Sequence, residues 1–129
     1  YGMFGIQPIW GYEFLKKLSN SRMALNLSRG RPIKYYSSDR IAQLMGNGLL
    51  TFIHSDTQYQ DFFDDNEMIF YKDISDLTEK IKRYTKNDKE WRIIANKGHT
   101  KYHKYFNSSL VAKFIIERTF GINSKYYWD

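Results

Sequence analysis

The order of apolar runs and turn residues predicts an α/β domain, a parallel sheet with helices packed on both faces. Three short apolar runs, residues 23–28, 49–53 and 68–71, read as strands. Between them lie segments whose apolar residues recur at helical spacing. Strands separated by helices pair in parallel and need cover on both sides. The size agrees: 129 residues, 42% of them apolar and 18% aromatic, make about one domain with a core of its own.

Residues 11–19 form the first predicted helix, with Phe14, Leu15 and Leu18 on one face. Met-Ala-Leu-Asn-Leu-Ser at 23–28 reads as a buried strand with a polar end, and the basic, aromatic loop Arg-Gly-Arg-Pro-Ile-Lys-Tyr-Tyr follows. Ser37, Ser38 and Asp39 are N-cap candidates for a helix that buries Ile41, Leu44 and Met45 and reaches Gly46. Asn47-Gly48 stops it in a left-handed turn. After the strand at 49–53, a short helix is predicted over 58–63, then the strand at 68–71.

Asp73 opens a helix with Ile74, Leu77, Ile81 and Tyr84 in register, acids at its start and bases at its end. Asn87 and Glu90 have capping-box spacing for the next helix, which carries Trp91, Ile94, Ala95, Gly98 and Tyr102. A last helix over 108–118 uses Leu110, Val111, Phe114 and Ile115. Three strands are few for such a sheet. Residues 1–6 read as the remnant of another, so the chain is expected to be a piece of a larger protein.

Composition excludes several chemistries. With no cysteine there is no disulfide framework, thiolate zinc site, iron–sulfur cluster or cysteine nucleophile. No run approaches the roughly 18–20 apolar residues that span a bilayer, and no signal-peptide pattern is visible, so a cytoplasmic location is expected. The net charge of +6 is unevenly spread. Residues 1–60 hold seven bases against three acids, and Arg22, Arg29, Arg31, Lys34 and Arg40 fall close together with Asp39 the only acid among them. A local excess of this kind points to an anionic ligand.

In open α/β sheets, ligands bind beyond the carboxyl ends of the strands, where loops feed helix N-termini. The loop from Arg29 to Asp39 has that place. Free N–H groups at the start of the next helix favour phosphate, Arg40 adds a bidentate contact, and Gln43 on the same face reaches a ribose hydroxyl. His54, ending the next strand, is a candidate contact to the same anionic ligand. His99 and His103 have metal-binding spacing without an evident third ligand, and Asp61-Phe62-Phe63-Asp64-Asp65 lacks a metal–diphosphate spacing and reads as a solvated loop. Tyr35-Tyr36 beside the bases leaves a single-stranded RNA binder as a competing reading, although no RNA-recognition motif is present.

The stretch Arg40-Ile41-Ala42-Gln43-Leu44-Met45-Gly46-Asn47-Gly48 and the strand after it resemble a pattern of the group 1 glycosyltransferases, in particular their spore-maturation-type branch. Glu67 to Asp73, and Trp91-Arg92-Ile93-Ile94-Ala95 followed by Gly98, continue the likeness, which covers residues 11–120. The resemblance implies a Rossmann-like half of a GT-B enzyme: the carboxy-terminal domain that binds a nucleoside-diphosphate sugar, with the helix over 108–118 crossing back to an acceptor domain expected upstream. It implies a hexosyltransferase-like, metal-independent reaction in cell-surface glycan synthesis, without a cofactor. Arg40, Arg29, Lys34 and Ser38 would hold the diphosphate and Gln43 the ribose, with the general base in the other domain, so that this piece alone is inactive. The expected partners are the donor and the acceptor domain, with peripheral membrane contact through the full-length protein and no nucleic acid.

This chain departs from the pattern at Gln43, where the family has Glu, at Tyr35, where many retaining members have a second Glu, and at Ala42, where an aromatic is usual. A non-catalytic nucleotide-sugar-binding relative is therefore the second reading.

Overall fold

A computed structural model describes residues 5–28 and 30–129. Among the described residues five α-helices and three strands follow in the order α1 (Gly11–Ser19), β1 (Met23–Asn26), α2 (Arg40–Gly46), β2 (Leu50–His54), β3 (Ile69–Tyr71), α3 (Ile74–Lys86), α4 (Asp88–Tyr105) and α5 (Ser108–Thr119). The strands form one parallel sheet in the order β1-β2-β3. This is an α/β, Rossmann-like arrangement. The remnant strand proposed over 1–6 falls largely outside the described residues, and Gly5 and Ile6 are not in a strand.

Alternation along the strands fills two layers. Leu50 and Phe52 with Ile69 and Tyr71 face one side, where α3 and α4 supply Tyr84, Ile94 and Ala95. Ile53 and Phe70 face the other, against Ile41 and Met45 of α2, Phe63, and the far end of α4 through Tyr102 and Phe106. A smaller cluster of Leu18, Leu44 and Leu49 seats α1 on α2. The long α4 thus contributes to both layers. It passes so close to the turn before β3 that a Cβ on Gly98 would stand 2.1 Å from the Glu67 carbonyl oxygen.

Several turn signals act as read. Gly48 is left-handed at φ 72°, and the amides of Gly48 and Leu49 return to the carbonyls of Met45 and Leu44, a Schellman stop for α2. The Asp73 carboxylate accepts from the Asp76 amide and caps α3. Asn87 accepts from the Glu90 amide, and its own side-chain amide donates to the Glu90 carboxylate, closing a variant of the box.

Other elements differ. β1 ends at Asn26, the last residue with a partner on β2, because the chain then turns out into the loop. The helix expected over 58–63 is two single 3-10 turns, Ser55–Thr57 and Tyr59–Asp61, separated by a left-handed Gln58. Leu15 and Ile74, assigned to buried faces, are exposed at 58% and 82%. α1 buries only Leu18, and α5 buries none of its residues.

Candidate functional site

The carboxyl ends of the three strands, Asn26, His54 and Tyr71, open towards the loop that follows β1 and the 3-10 turns that follow β2. Tyr35 ties these two segments together. Its amide donates to the Thr57 carbonyl at 2.8 Å, its hydroxyl donates to the Asp61 carboxylate, and its ring lies 5.1 Å from that of Phe62. This tether holds Tyr35 at φ 58°, a left-handed conformation seldom adopted by a bulky residue. Lys34 precedes it, with its ammonium 4.7 Å from the centre of the Tyr35 ring and its side chain exposed.

Arg40 opens α2. Its Nε donates to the Ser38 hydroxyl at 2.8 Å and one Nη donates to the Leu27 carbonyl at 2.9 Å. Two of the five guanidinium N–H groups thus staple the end of β1 to the start of α2, and the side chain remains exposed. Ser38 Oγ also accepts from the Arg40 amide at 3.3 Å, so Ser38, not Asp39, is the side chain that meets a free amide there. α2 has seven residues, two turns, so the local positive charge comes chiefly from side chains and not from the helix dipole. Gln43 lies one turn after Arg40, half-buried, and its carbonyl accepts from the Asn47 side chain.

His54 is one residue beyond the Asn26–Ile53 register pair. Its Nδ1 accepts from the Asp56 amide at 3.2 Å, which leaves the imidazole proton on Nε2. The ring stands edge-on to Tyr71 at 5.2 Å. The structure therefore brings Arg40, Ser38, Gln43 and His54 to one end of the sheet, with Lys34 on the adjoining loop. Arg29 lies outside the described residues. Arg22, counted with the same basic group from its place in the chain, precedes β1 at the opposite end of the sheet and pairs with Asp88 at 2.8 Å.

Two polar residues at this end, Asn26 and Tyr59, were not singled out from the sequence, and Ser37 was read there only as an N-cap candidate. Asn26 is buried, its side-chain amide donates to the Ser37 hydroxyl at 3.2 Å, and its Oδ1 has no partner among the described residues. Ser37 in turn donates to the Ser38 carbonyl. Tyr59 lies beneath the loop; burial pushes its phenol above the ordinary range, partly offset by a hydrogen bond with Ser37. The available signal was the lone Asn inside an apolar strand, which has to be satisfied or used where the strand ends.

The remaining candidates have structural partners. His99 and His103 are 4.4 Å apart between ring centres, and His103 Nε2 lies 3.0 Å from the Gly46 carbonyl. Among the described residues, no three His, Cys, Asp or Glu side chains are grouped to hold a metal ion. Asp61 accepts from Tyr35, and Asp64 accepts from the Asn66 amide, so this acidic run shapes a turn around the buried Phe63.

Residues 3–117 match the model of a family described as glycosyl transferase-like. The chain belongs to that family. Searches among curated proteins and solved structures gave no match. Glycosyl transfer is thus the chemistry of the family, and no described helix is long and apolar enough to cross a membrane. In a glycosyltransferase, negative charge builds on the leaving group as the sugar–oxygen bond breaks. Fixed donors aimed at that charge are the most effective aid a protein offers. The end of the sheet that carries Arg40 offers such donors: the remaining guanidinium N–H groups, the Lys34 ammonium and the His54 Nε2–H.

Proposed function

We propose that this chain is the donor-binding half of a group 1, GT-B glycosyltransferase, of the spore-maturation-type branch. In this reading it moves a sugar from a nucleoside diphosphate to an acceptor hydroxyl. The observation that carries the reading is the convergence of Arg40, Ser38, Lys34 and His54 at the carboxyl ends of the parallel strands, within a chain of the glycosyl transferase-like family.

Arg40 has the central role. Two of its donors keep it in place, and those remaining meet the diphosphate oxygens as charge develops on them. Lys34 and Arg29 add positive charge from the loop, Ser38 orients the guanidinium, and Gln43 accepts from one ribose hydroxyl while donating to the other. The imidazole of His54 donates Nε2–H to the donor sugar or phosphate. No metal or cofactor takes part in this reading, because the cations neutralise the leaving group. The general base belongs to an acceptor domain that contacts this one, in a cytoplasmic enzyme of cell-surface glycan synthesis whose full length touches the membrane periphery.

In the full-length protein, Arg40→Ala then lowers the rate of sugar transfer by about 10²–10³, the usual cost of losing one preorganised donor. Arg40→Lys, which keeps the charge and loses the fork, retains part of it. An unchanged rate in a folded Arg40→Ala protein overturns the role given to Arg40.

A further inference from the structure

A cleft of about 450 Å³ lies along α4 beside Glu67, within the roughly 300–1,000 Å³ range of ligand pockets. Its floor is an ion pair. Lys101 Nζ lies 2.6 Å from a Glu67 carboxylate oxygen, and both side chains are more than four-fifths buried, with 18% and 17% exposure. Burial alone would lower the Lys101 ammonium, but the contacts with Glu67 and Tyr127 together outweigh it and hold the group above its ordinary range.

Lys97 and Lys104 stand one turn to either side of Lys101, exposed and without a carboxylate partner among the described residues. Tyr105 and Tyr127 stack face to face at 4.3 Å beside them, and Tyr127 keeps 42% of its surface in solvent. Lys104 and Lys101 each lie within about 5 Å of one of these rings.

We propose that this cleft is a second, non-catalytic binding site for an anionic sugar, a pyranose that carries a phosphate or carboxylate group. The apolar C–H face of the ring lies on the Tyr127 plate, and Lys97 and Lys104 take the anion. The Glu67 carboxylate, with Asn96 and Thr100 along the wall, meets the hydroxyls. Acceptors and donors set around an aromatic plate suit a saccharide. A flat anionic membrane would use the lysines but would leave the concave shape and the buried carboxylate without a role. The inference does not depend on the donor site, since none of the residues lining this cleft belongs to it.

The test is an amide-shift titration of the labelled chain by NMR, using glucose 6-phosphate, glucose, inorganic phosphate and phosphatidylglycerol vesicles as separate probes. Glucose 6-phosphate is expected to shift Lys97, Thr100, Lys101 and Lys104 saturably, and about tenfold more tightly than either half alone. The double variant Lys97→Ala with Lys104→Ala loses about tenfold, and both are exposed, so the fold is kept. Tyr127→Phe retains binding, Tyr127→Ala loses it, and Arg40→Ala leaves it unchanged. The proposal is overturned by equal binding of inorganic phosphate, by a response to vesicles alone, by no response, or by loss of binding in Arg40→Ala.

Discussion

Gly98→Ala separates two physical effects of opposite sign. In the middle of a helix, alanine is favoured over glycine by about 1 kcal/mol, so helix propensity alone predicts a more stable protein. The structure predicts the reverse. The new Cβ would lie 2.1 Å from the Glu67 carbonyl oxygen and 2.9 Å from Met45 Cε. The methionine can swing aside. The carbonyl cannot, because Met68 and Ile69 beyond it are buried in the two core layers. α4 must therefore back away from the sheet by about 0.9 Å to reach even the 3.0 Å floor of real Cβ contacts. Overpacking of this sort costs about 1–3 kcal/mol, and a backbone obstacle places it at the upper end. Subtracting the propensity gain leaves a loss of about 2 kcal/mol, which lowers the melting midpoint by roughly 8 °C in a domain of this size. Thermal and urea denaturation followed by circular dichroism measure it. A midpoint equal to or above that of the parent would refute the close approach of α4 to Glu67 and the layer arrangement built on it.

Stability should also depend on pH in a defined direction. The Asp76 carboxyl is held below its ordinary 3.8 by the Lys80 ammonium and the Lys72 amide, and that of Asp88 by the Trp91 indole N–H and then by Arg92 and Arg22. Their folded values lie below the unfolded ones, so the contribution is present above about pH 4 and is lost as pH falls through the folded values. The melting midpoint is expected to be level between pH 7 and about 5 and to drop below about 4, with a smaller acid loss in Asp76→Asn; equal acid losses contradict the assignment. Lys101→Met leaves the Glu67 carboxylate buried with, among the described residues, the Asp64 amide as its remaining partner, at a cost of about 1–3 kcal/mol. An unchanged urea midpoint would show that the pair adds nothing.

How much of this was legible in the sequence follows from the range of each signal. Asp73, Asn87 and Gly48 act within one turn of themselves, so the caps and stops they specify are read directly from their neighbours. Leu15 and Ile74 fit their helical faces by spacing, yet both are exposed. Spacing says which residues share a face and not how much of that face is covered: α1 buries Leu18 alone and α3 buries Tyr84 alone. The basic group shows the same limit at the site. Arg22 and Arg40 are near in the chain, but β1 runs between them and carries them to opposite ends of the sheet. That Arg40, Ser38 and His54 share one end of the sheet was legible because a loop between strand and helix has a fixed place in a parallel sheet. The tether through Tyr35 to Thr57 and Asp61 was not, since it depends on a left-handed tyrosine and on contacts more than twenty residues away. Nor was the unpartnered Asn26 oxygen, whose burial is set by the loop folding over it.

The central claim is that the end of the sheet carrying Arg40 receives a nucleoside diphosphate. The most direct measurement is an NMR titration of the labelled chain with UDP, GDP and ADP in turn. The account predicts saturable shifts for one of them, concentrated at the amides of residues 26–43 and 54–59 and abolished by Arg40→Ala. Shifts that gather elsewhere, or none up to millimolar nucleotide, would contradict it.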